Sequence, residues 1–170
     1  FSSPCCACCL VLLCSVAVAG PAELKPAELK KVGEAELRVL FWSIYNSRLY
    51  SVDGQYREGQ RPLQLQIEYL IDIESGALVE RTGSEGDSQG LSHERQQEWL
   101  ATLAALWPDV SKNDVLTLHI DEADRSTFYR NGELLGVIDD PEFGDHFTGI
   151  WLAPTTTRPE LRLALTGQQR

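Results

Sequence analysis

The residues best suited to chemistry lie in one short stretch, FWSIYNSRLYS, which begins at position 41. Within it, Tyr45, Asn46, Arg48 and Tyr50 bring hydroxyl, amide and guanidinium groups together beside two large aromatic residues. An apolar wall that carries a few convergent donors could bind a carboxylate or phenolate on an apolar body. Arg48, between the two tyrosines, would anchor the anionic head, so these four residues are the candidate ligand-binding site. The alternative is that the aromatic rings pack in a core while the polar groups face water.

Other kinds of chemistry find little support in the sequence. His93, His119 and His146 are far apart and lack the spacing of metal ligands, so we expect no metal site. The stretch DEADRSTFYRNGE scatters its carboxylates without the glycine and the ordered ligands of a calcium loop. No G-x-S-x-G, phosphate-binding or dinucleotide-binding motif occurs, and no Ser/His/Asp set can be chosen. The sequence therefore assigns no catalytic residue and no cofactor.

Residues 1–19 have the pattern of a signal peptide. The stretch CCLVLLCSVAVAG is apolar from Cys8 to Ala19, and its AVA supplies the small-x-small cleavage pattern before Gly20. This run of about 12 residues is shorter than the roughly 20 that span a bilayer. A lipid anchor on Cys14 is a weaker alternative, because two bulky leucines precede that cysteine. We therefore expect a periplasmic or secreted protein.

Charge and cysteine content limit the partners and the covalent chemistry. All five cysteines lie within the leader, so the mature chain would have no disulfide, no thiol nucleophile and no cysteine-bound metal. The formal net charge is −10, and an acidic surface repels phosphate backbones and anionic lipid headgroups. A nucleic-acid partner is therefore not expected, and no second apolar stretch is long enough to span a membrane. The sequence leaves any protein partner open.

Hydrophobic periodicity places three strands in the first half of the domain. After a charged, proline-containing spacer over residues 20–31, GEAELRVLF alternates apolar and polar residues. IYNSRLYSV is rich in aromatic and branched residues, and LQLQIEYLIDIE alternates almost without a break. Such alternation predicts strands with one buried and one hydrated face.

The second half of the domain mixes helices with a hairpin. GSEGDSQG predicts a glycine-rich break, after which Ser92 caps a helix that ends at the proline of LWPDV. DVLTLHID is a further strand, and Asn131-Gly132 forms the two-residue turn of the hairpin TFYRNGELLGVI. A short helix starts at DDP, and a capping box over residues 157–160 opens the last helix. These elements predict an α+β domain over residues 32–167, in which an antiparallel sheet carries helices on one face.

The order of these pieces resembles that of the chalcone isomerase-like proteins, especially their exported bacterial members. The resemblance is carried by the opening VG…LRVL, by IYNSRLYS and LQLQIEYL, and by the helix that ends in LWPDV. Its most specific part is FYRNGELLGVIDDPEFGDHFTGIWLAPTTTRPELRLAL. The resemblance as a whole covers residues 32–167. The resemblance implies an open-faced β-sandwich, in which a large antiparallel sheet lies under a layer of helices.

The same resemblance implies where an active site would lie. Chalcone isomerases close a flavanone ring by intramolecular attack of a phenolate on an enone. Their oxyanion is framed by an arginine on the first strand, a threonine on the second, a Tyr/Lys/Asn trio on a helix and a late Ser or Thr. In this sequence the arginine position falls near Gly33, and Arg38 is the nearest guanidinium but is out of register. The other positions fall, in the same order, on Tyr45, on Leu91, Glu94 and Glu98, and on Gly144.

The expected function follows from these differences. Two carboxylates where the family has Lys and Asn would repel a developing oxyanion rather than stabilise it. We therefore expect an exported, non-catalytic protein that binds a small amphipathic ligand such as a fatty acid, as other branches of this fold do. Two alternatives stay open: an isomerase or intramolecular lyase with a rearranged active site, and a structural partner of an envelope protein.

Overall fold

The computed structural model describes residues 29–169, which form one antiparallel sheet and four helices. The leader expected at residues 1–19 and most of the expected spacer lie outside the described residues. The six strands follow one another across the sheet in chain order. The strands are β1 (Lys30–Val39), β2 (Trp42–Ser51), β3 (Leu63–Tyr69), β4 (Val115–Ile120), β5 (Ser126–Arg130) and β6 (Glu133–Ile138); the helices are α1 (Ser75–Ser88), α2 (Gln96–Leu106), α3 (Phe143–Leu152) and α4 (Pro159–Leu165).

The alternating pattern of the sequence sorts residues onto the two faces of this sheet. Leu63, Leu65 and Ile67 of β3 are buried, and so are Leu49 of β2 and Leu118 of β4, because every second side chain points toward the helices. The buried side chains of this inner face join those of the helices in one apolar core. The α+β architecture expected from the sequence, an open-faced β-sandwich, is confirmed.

Helix α4 lies directly against strand β1, and a glycine makes this contact possible. A Cβ added to Gly33 would lie 2.1 Å from the carbonyl oxygen of Ala164 and 2.6 Å from that of Leu165. Such distances are far inside van der Waals contact, so no other residue fits here without moving the helix. Gly33 therefore sets the distance between the first strand and the last helix.

Helix α1 runs through GSEGDS, the stretch that the sequence predicted as a break. Gly83 and Gly86 are buried within this helix. A Cβ added to Gly83 would lie 3.0 Å from Cδ1 of Leu100 in α2, so the small residue lets the two helices approach each other. The prediction of a break was wrong, because here tertiary packing outweighs the low helix propensity of glycine.

Two predicted helix caps are absent from the structure. Helix α2 begins at Gln96 without a side-chain cap, so Ser92 does not cap it. Helix α4 begins at Pro159, as the proline indicates, but no side chain caps it. The hydroxyl of Thr157 instead donates to Oε2 of Glu85 in α1, at 3.1 Å. The capping-box prediction was therefore wrong, and Thr157 instead links the loop between α3 and α4 to helix α1.

The remaining boundaries agree with the sequence to within a few residues. The Asn131-Gly132 turn is confirmed, with φ values of 51° and 84°. Strand β3 stops at Tyr69, earlier than predicted, and only Ile73 makes a further bridge to the segment before β4. The helix predicted to start at DDP begins at Phe143. Within residues 29–169 no helix is both long enough and apolar enough to cross a membrane.

Candidate ligand-binding site between the sheet and the helices

A cavity of about 490 Å³ lies between the inner face of the sheet and the helix layer. Strands β1 to β3 contribute most of one side, and α1, α3 and α4 contribute most of the other. The volume falls within the roughly 300–1,000 Å³ typical of small-molecule sites. The wall is mainly apolar, and its side chains include Leu37, Ile67, Ile73, Leu78, Phe147 and Ile150.

Strand register brings two tyrosines to this wall. Leu37 of β1 pairs with Tyr45 of β2, and Tyr45 pairs with Tyr69 of β3, so the three residues form one row across the sheet. The two tyrosine rings meet edge to face, with their centroids 6.2 Å apart. This is a favourable geometry for aromatic pairs, and it fixes the direction of both phenol groups.

Tyr45 is a buried polar group of the cavity wall with a defined hydrogen-bond partner. Its hydroxyl oxygen accepts a hydrogen bond of 2.9 Å from Nε1 of Trp151 in α3. Burial raises the pKa of Tyr45 to about 12, even though the bond from Trp151 acts in the opposite direction. Burial also raises the pKa of Tyr69. Both phenols therefore stay protonated at neutral pH, and Tyr45 keeps a proton that it could donate to a bound oxygen atom.

Charged side chains line another part of the cavity, and their net charge is positive. Arg81 and Glu85, one turn apart on α1, form an ion pair. Glu85 also accepts the hydrogen bond from Thr157. Arg158 has no carboxylate partner within 4.0 Å among residues 29–169. Two guanidinium groups against one carboxylate leave a single positive charge at a cavity within a protein whose overall charge is negative.

The loop between α3 and α4 places Arg158 at the cavity. The hydroxyl of Thr156, a buried residue, donates to the carbonyl oxygen of Ile150 at 3.1 Å. The same hydroxyl oxygen accepts a hydrogen bond of 3.2 Å from the backbone N–H of Arg158. Pro159 then starts α4 and restricts the backbone that follows. The backbone that carries Arg158 is thus fixed from both sides, although the side chain itself is unpaired among the described residues.

The structure separates the four residues that the sequence grouped as a ligand site. Tyr45 lines the cavity, whereas Asn46, Arg48 and Tyr50 are absent from its wall. The reason is the two-residue period of a strand: Tyr45 shares the inner face with buried Leu49, whereas Asn46, Arg48 and Tyr50 fall on the opposite face. That Asn46, Arg48 and Tyr50 bind a ligand stays a prediction.

Arg48 already has partners on that outer face. Its Nη2 donates to Oε2 of Glu68 on the neighbouring strand at 2.7 Å, and its Nε lies 3.8 Å from a carboxylate oxygen of Glu34. The expectation that Arg48 anchors an anionic head inside an apolar pocket does not match this position. In the cavity itself, the positive charge comes from Arg81 and Arg158.

The positions that the resemblance assigned to catalytic groups do not form a polar site. Gly33 has no space for a side chain, because α4 lies against it. At Gly144, an added Cβ would lie 2.9 Å from Cδ1 of Ile120 and 3.1 Å from Oγ of Ser126. The arginine and the late hydroxyl of the family's enzymes therefore have no counterpart at these two glycines, and at Gly33 the backbone of α4 also leaves no space for a side chain.

The helix positions of that set lie elsewhere as well. Glu94 and Glu98 are exposed, and neither lines the cavity. Leu91 lies against α3, where a Cβ on Gly149 would meet its Cδ1 at 3.2 Å. The expectation that two carboxylates face a developing oxyanion was therefore wrong. Arg38, the nearest guanidinium in sequence, is exposed near the β1–β2 turn and donates to Oγ of Ser43 at 3.2 Å.

Sequence reasoning missed Arg81, Arg158 and Trp151 as residues of the site. They belong to α1, the last loop and α3, and no short motif connects them to Tyr45. Arg158 was assigned to a helix cap, which hid its position at the cavity. The sequence carried a usable signal for Trp151 alone, since it belongs to the bulky apolar run GIWL, which is typical of a buried helix face, and it is buried in the structure.

These features define an open-faced β-sandwich with a ligand-sized cavity between the sheet and the helices. The chain belongs to the chalcone isomerase-like family, whose model matches residues 18–167. An uncharacterized protein of Haemophilus influenzae is 33% identical over 144 residues, which cover 85% of this chain and 71% of that protein. The predicted family membership is confirmed.

A solved structure shows the same fold at low sequence identity. A fatty-acid binding protein of Arabidopsis thaliana superposes with a TM-score of 0.65, and the match covers 87% of this chain and 91% of that one. The two sequences are 10% identical, so this likeness concerns the fold alone. Within residues 29–169, no group of three or more His, Cys, Asp or Glu side chains is arranged to hold a metal ion.

Proposed function

We propose that the cavity binds a small amphipathic ligand with an anionic head, such as a fatty acid. The observation that carries this proposal is the combination of a largely apolar volume of about 490 Å³ with an arginine, Arg158, that has no ion-pair partner among the described residues. An apolar chain would occupy the space beside Ile67 and Phe147. That the Arabidopsis thaliana neighbour is a fatty-acid binding protein supports the same class of ligand by analogy.

The anionic head would lie where Tyr45 and the arginines meet. Arg81, Arg158 and Glu85 all lie close enough to act on the ionisation of Tyr45. A guanidinium can donate two parallel hydrogen bonds to a carboxylate, and the protonated phenol can add a third. Glu85 opposes this interaction, but its charge is already balanced by Arg81 and by the hydrogen bond from Thr157.

The proposal includes the absence of isomerase activity. Chalcone cyclisation needs a phenolate nucleophile and donors preorganised around the enone oxygen. The resemblance places the enzymes' arginine and late hydroxyl at Gly33 and Gly144, which carry no side chain, and at Gly33 the backbone of α4 leaves no room for one. With a pKa of about 12, Tyr45 supplies a proton donor and no general base at neutral pH.

We further propose that the protein acts outside the cytoplasm. The apolar run from Cys8 to Ala19 and the small residues before Gly20 support cleavage by a signal peptidase. N-terminal sequencing of the protein recovered from the periplasm or the medium should begin at Gly20. A protein recovered from the cytoplasm with an intact leader would contradict this part of the proposal.

A calorimetric titration with two ligands of equal chain length tests the binding proposal. Dodecanoate and 1-dodecanol share one apolar chain and differ in the charge of the head. A charged hydrogen bond contributes about 1.5–3 kcal/mol, so dodecanoate should bind roughly 10- to 100-fold more tightly. Equal affinities would contradict recognition of an anionic head. Binding of neither ligand would contradict the cavity as a lipid site and would favour a structural role.

A further inference from the structure

The turn between β1 and β2 carries a compact apolar tip, which consists of Val39, Leu40, Phe41 and Trp42. Leu40 is 88% exposed, Phe41 is 96% exposed and Trp42 is 70% exposed. These are the most exposed of the large hydrophobic residues in the described part of the chain. Neighbouring apolar side chains that are exposed in this way mark interaction sites on soluble proteins.

Turn geometry does not account for these residues. Leu40 has a φ of 56°, a left-handed conformation that suits glycine or asparagine and is unfavourable for leucine. The β5–β6 hairpin of the same chain uses Asn131-Gly132 at its tip, with φ values of 51° and 84°. The β1–β2 turn therefore carries a large apolar side chain, Leu40, at a position where the local conformation favours a small residue. Packing does not explain them either, because the side chains are exposed.

The tip adjoins the cavity. Val39 and Ile44, on either side of the turn, both line the cavity, and Val39 is 41% exposed. A surface that contacted Leu40, Phe41 and Trp42 would therefore lie next to the cavity wall. Among the described residues, Val39 thus belongs both to the apolar tip and to the candidate ligand site.

The size of the tip favours a lipid surface over a protein partner. At about 150–250 Å² for each large apolar side chain, Leu40, Phe41 and Trp42 together bury about 450–750 Å², which is less than the about 800 Å² that each partner contributes to a standard protein interface. Insertion into a bilayer needs no complementary surface. Leucine, phenylalanine and tryptophan also suit this environment, since tryptophan concentrates at the boundary between headgroups and acyl chains.

The charge of the tip and of the whole protein indicates which kind of lipid surface the tip would contact. The stretch from Val39 to Ile44 contains no charged residue, and Arg38 lies 3.5 Å from a carboxylate oxygen of Glu36. The protein as a whole carries a formal charge of −10, which anionic headgroups would repel. We propose that the tip inserts into the interface of a bilayer with zwitterionic headgroups, which brings the cavity to the membrane surface. This docking goes beyond ligand binding, and it would hold even for an empty cavity.

Tryptophan fluorescence gives a direct test, because Trp42 is exposed whereas Trp99, Trp107 and Trp151 are at most 9% exposed. Phosphatidylcholine vesicles with brominated acyl chains should quench part of the emission of the wild-type protein, and Trp42→Phe should abolish that quenching. Phe41→Ser should weaken vesicle binding at least about tenfold, given the transfer free energy of a large apolar side chain. The matched control is Leu134→Ser on β6, which replaces a side chain 59% exposed elsewhere and should leave binding unchanged.

Several outcomes would overturn the docking proposal. Absence of quenching would do so, as would equal loss of binding in Phe41→Ser and Leu134→Ser. Tighter binding to phosphatidylglycerol vesicles than to phosphatidylcholine would show that charge rather than the tip drives association. A wild-type dimer in sedimentation that dissociates in Phe41→Ser would identify a second copy as the occupant. All variants have the same N-terminal residues, so any contribution of these residues to vesicle binding is equal in all of them. The vesicles contain no free fatty acid, so failure of vesicle binding is distinguishable from failure of fatty-acid binding in the cavity.

Discussion

Nε1 of Trp151 donates a hydrogen bond to the hydroxyl oxygen of Tyr45 at 2.9 Å, between residues 106 positions apart in the sequence. The bond joins helix α3 to strand β2 at the wall of the cavity. It therefore belongs both to the packing of the helix layer on the sheet and to the candidate site. It also fixes the lone pair that Tyr45 uses and leaves its proton free for a ligand.

Removal of this acceptor should destabilise the fold by a modest amount. Tyr45→Phe leaves the indole N–H of Trp151 without its protein partner, and we expect the free energy of unfolding to fall by about 1 kcal/mol. This is the lower end of the about 1–3 kcal/mol that an unpaired buried donor costs, because a water molecule in the cavity can replace part of the hydrogen bond. Urea denaturation measures it. Tyr50→Phe, on the outer face of the same strand, should leave the value unchanged, and an equal loss in both variants would argue against the specific bond.

Alkaline pH should weaken the fold through Tyr45. Its pKa is raised to about 12 in the folded state, compared with about 10 in an unfolded chain. Below pH 10 both states hold the proton. As the pH rises from 10 towards 12, the unfolded chain releases a proton that the folded chain keeps, so the free energy of unfolding falls. The fall should be smaller in Tyr45→Phe, and identical pH profiles would contradict the burial of this phenol.

Gly33 should be among the glycines least tolerant of change. Gly33→Ala forces a Cβ against the backbone of α4, and we expect a loss of about 2 kcal/mol or more, as for other overpacked sites. Gly76 in α1 has nothing within 4 Å of an added Cβ, so Gly76→Ala should be neutral or stabilising. Thermal denaturation compares the two. A well-folded Gly33→Ala protein would show that α4 can move away from β1.

The protein should not accelerate chalcone cyclisation. Each missing oxyanion donor typically costs about 10²–10³ in rate, and Gly33 and Gly144 carry no side chain that could supply one. The loss of chalcone absorbance, followed with and without protein, measures the rate. A saturable rate that depends on protein and disappears in Tyr45→Phe would instead support an isomerase with a rearranged site.

The sequence predicted the sheet better than the site, for a physical reason. Strand alternation is local, so LQLQIEYL and the Asn131-Gly132 turn were sufficient to place β3 and the β5–β6 hairpin. The cavity depends on which face of β2 meets the helices, and FWSIYNSRLYS has aromatic residues on both faces. Tyr45, one of the four predicted residues, does line the cavity, and its role in binding stays a prediction. Arg158 was not predicted, because its position depends on contacts made by Thr156 with a helix end.

Dependence on tertiary contacts also explains why the glycine-rich part of α1 was predicted wrongly. Glycine lowers helix propensity, so GSEGDS predicted a break. Gly83 is nevertheless buried in a helix because Leu100 occupies the space that a side chain would need. The preference for glycine at position 83 comes from contact with the neighbouring helix, and the local sequence holds no information about that contact.

Affinity for dodecanoate in two arginine variants tests the central claim most directly. Arg158 lines the cavity without an ion-pair partner among the described residues, whereas Arg48 pairs with Glu68 on the outer face at 2.7 Å. Titration calorimetry should show about 10- to 100-fold weaker binding for Arg158→Gln and wild-type binding for Arg48→Gln, with both variants folded. Unchanged affinity in Arg158→Gln, together with weaker binding in Arg48→Gln, would contradict the assignment of the ligand to this cavity.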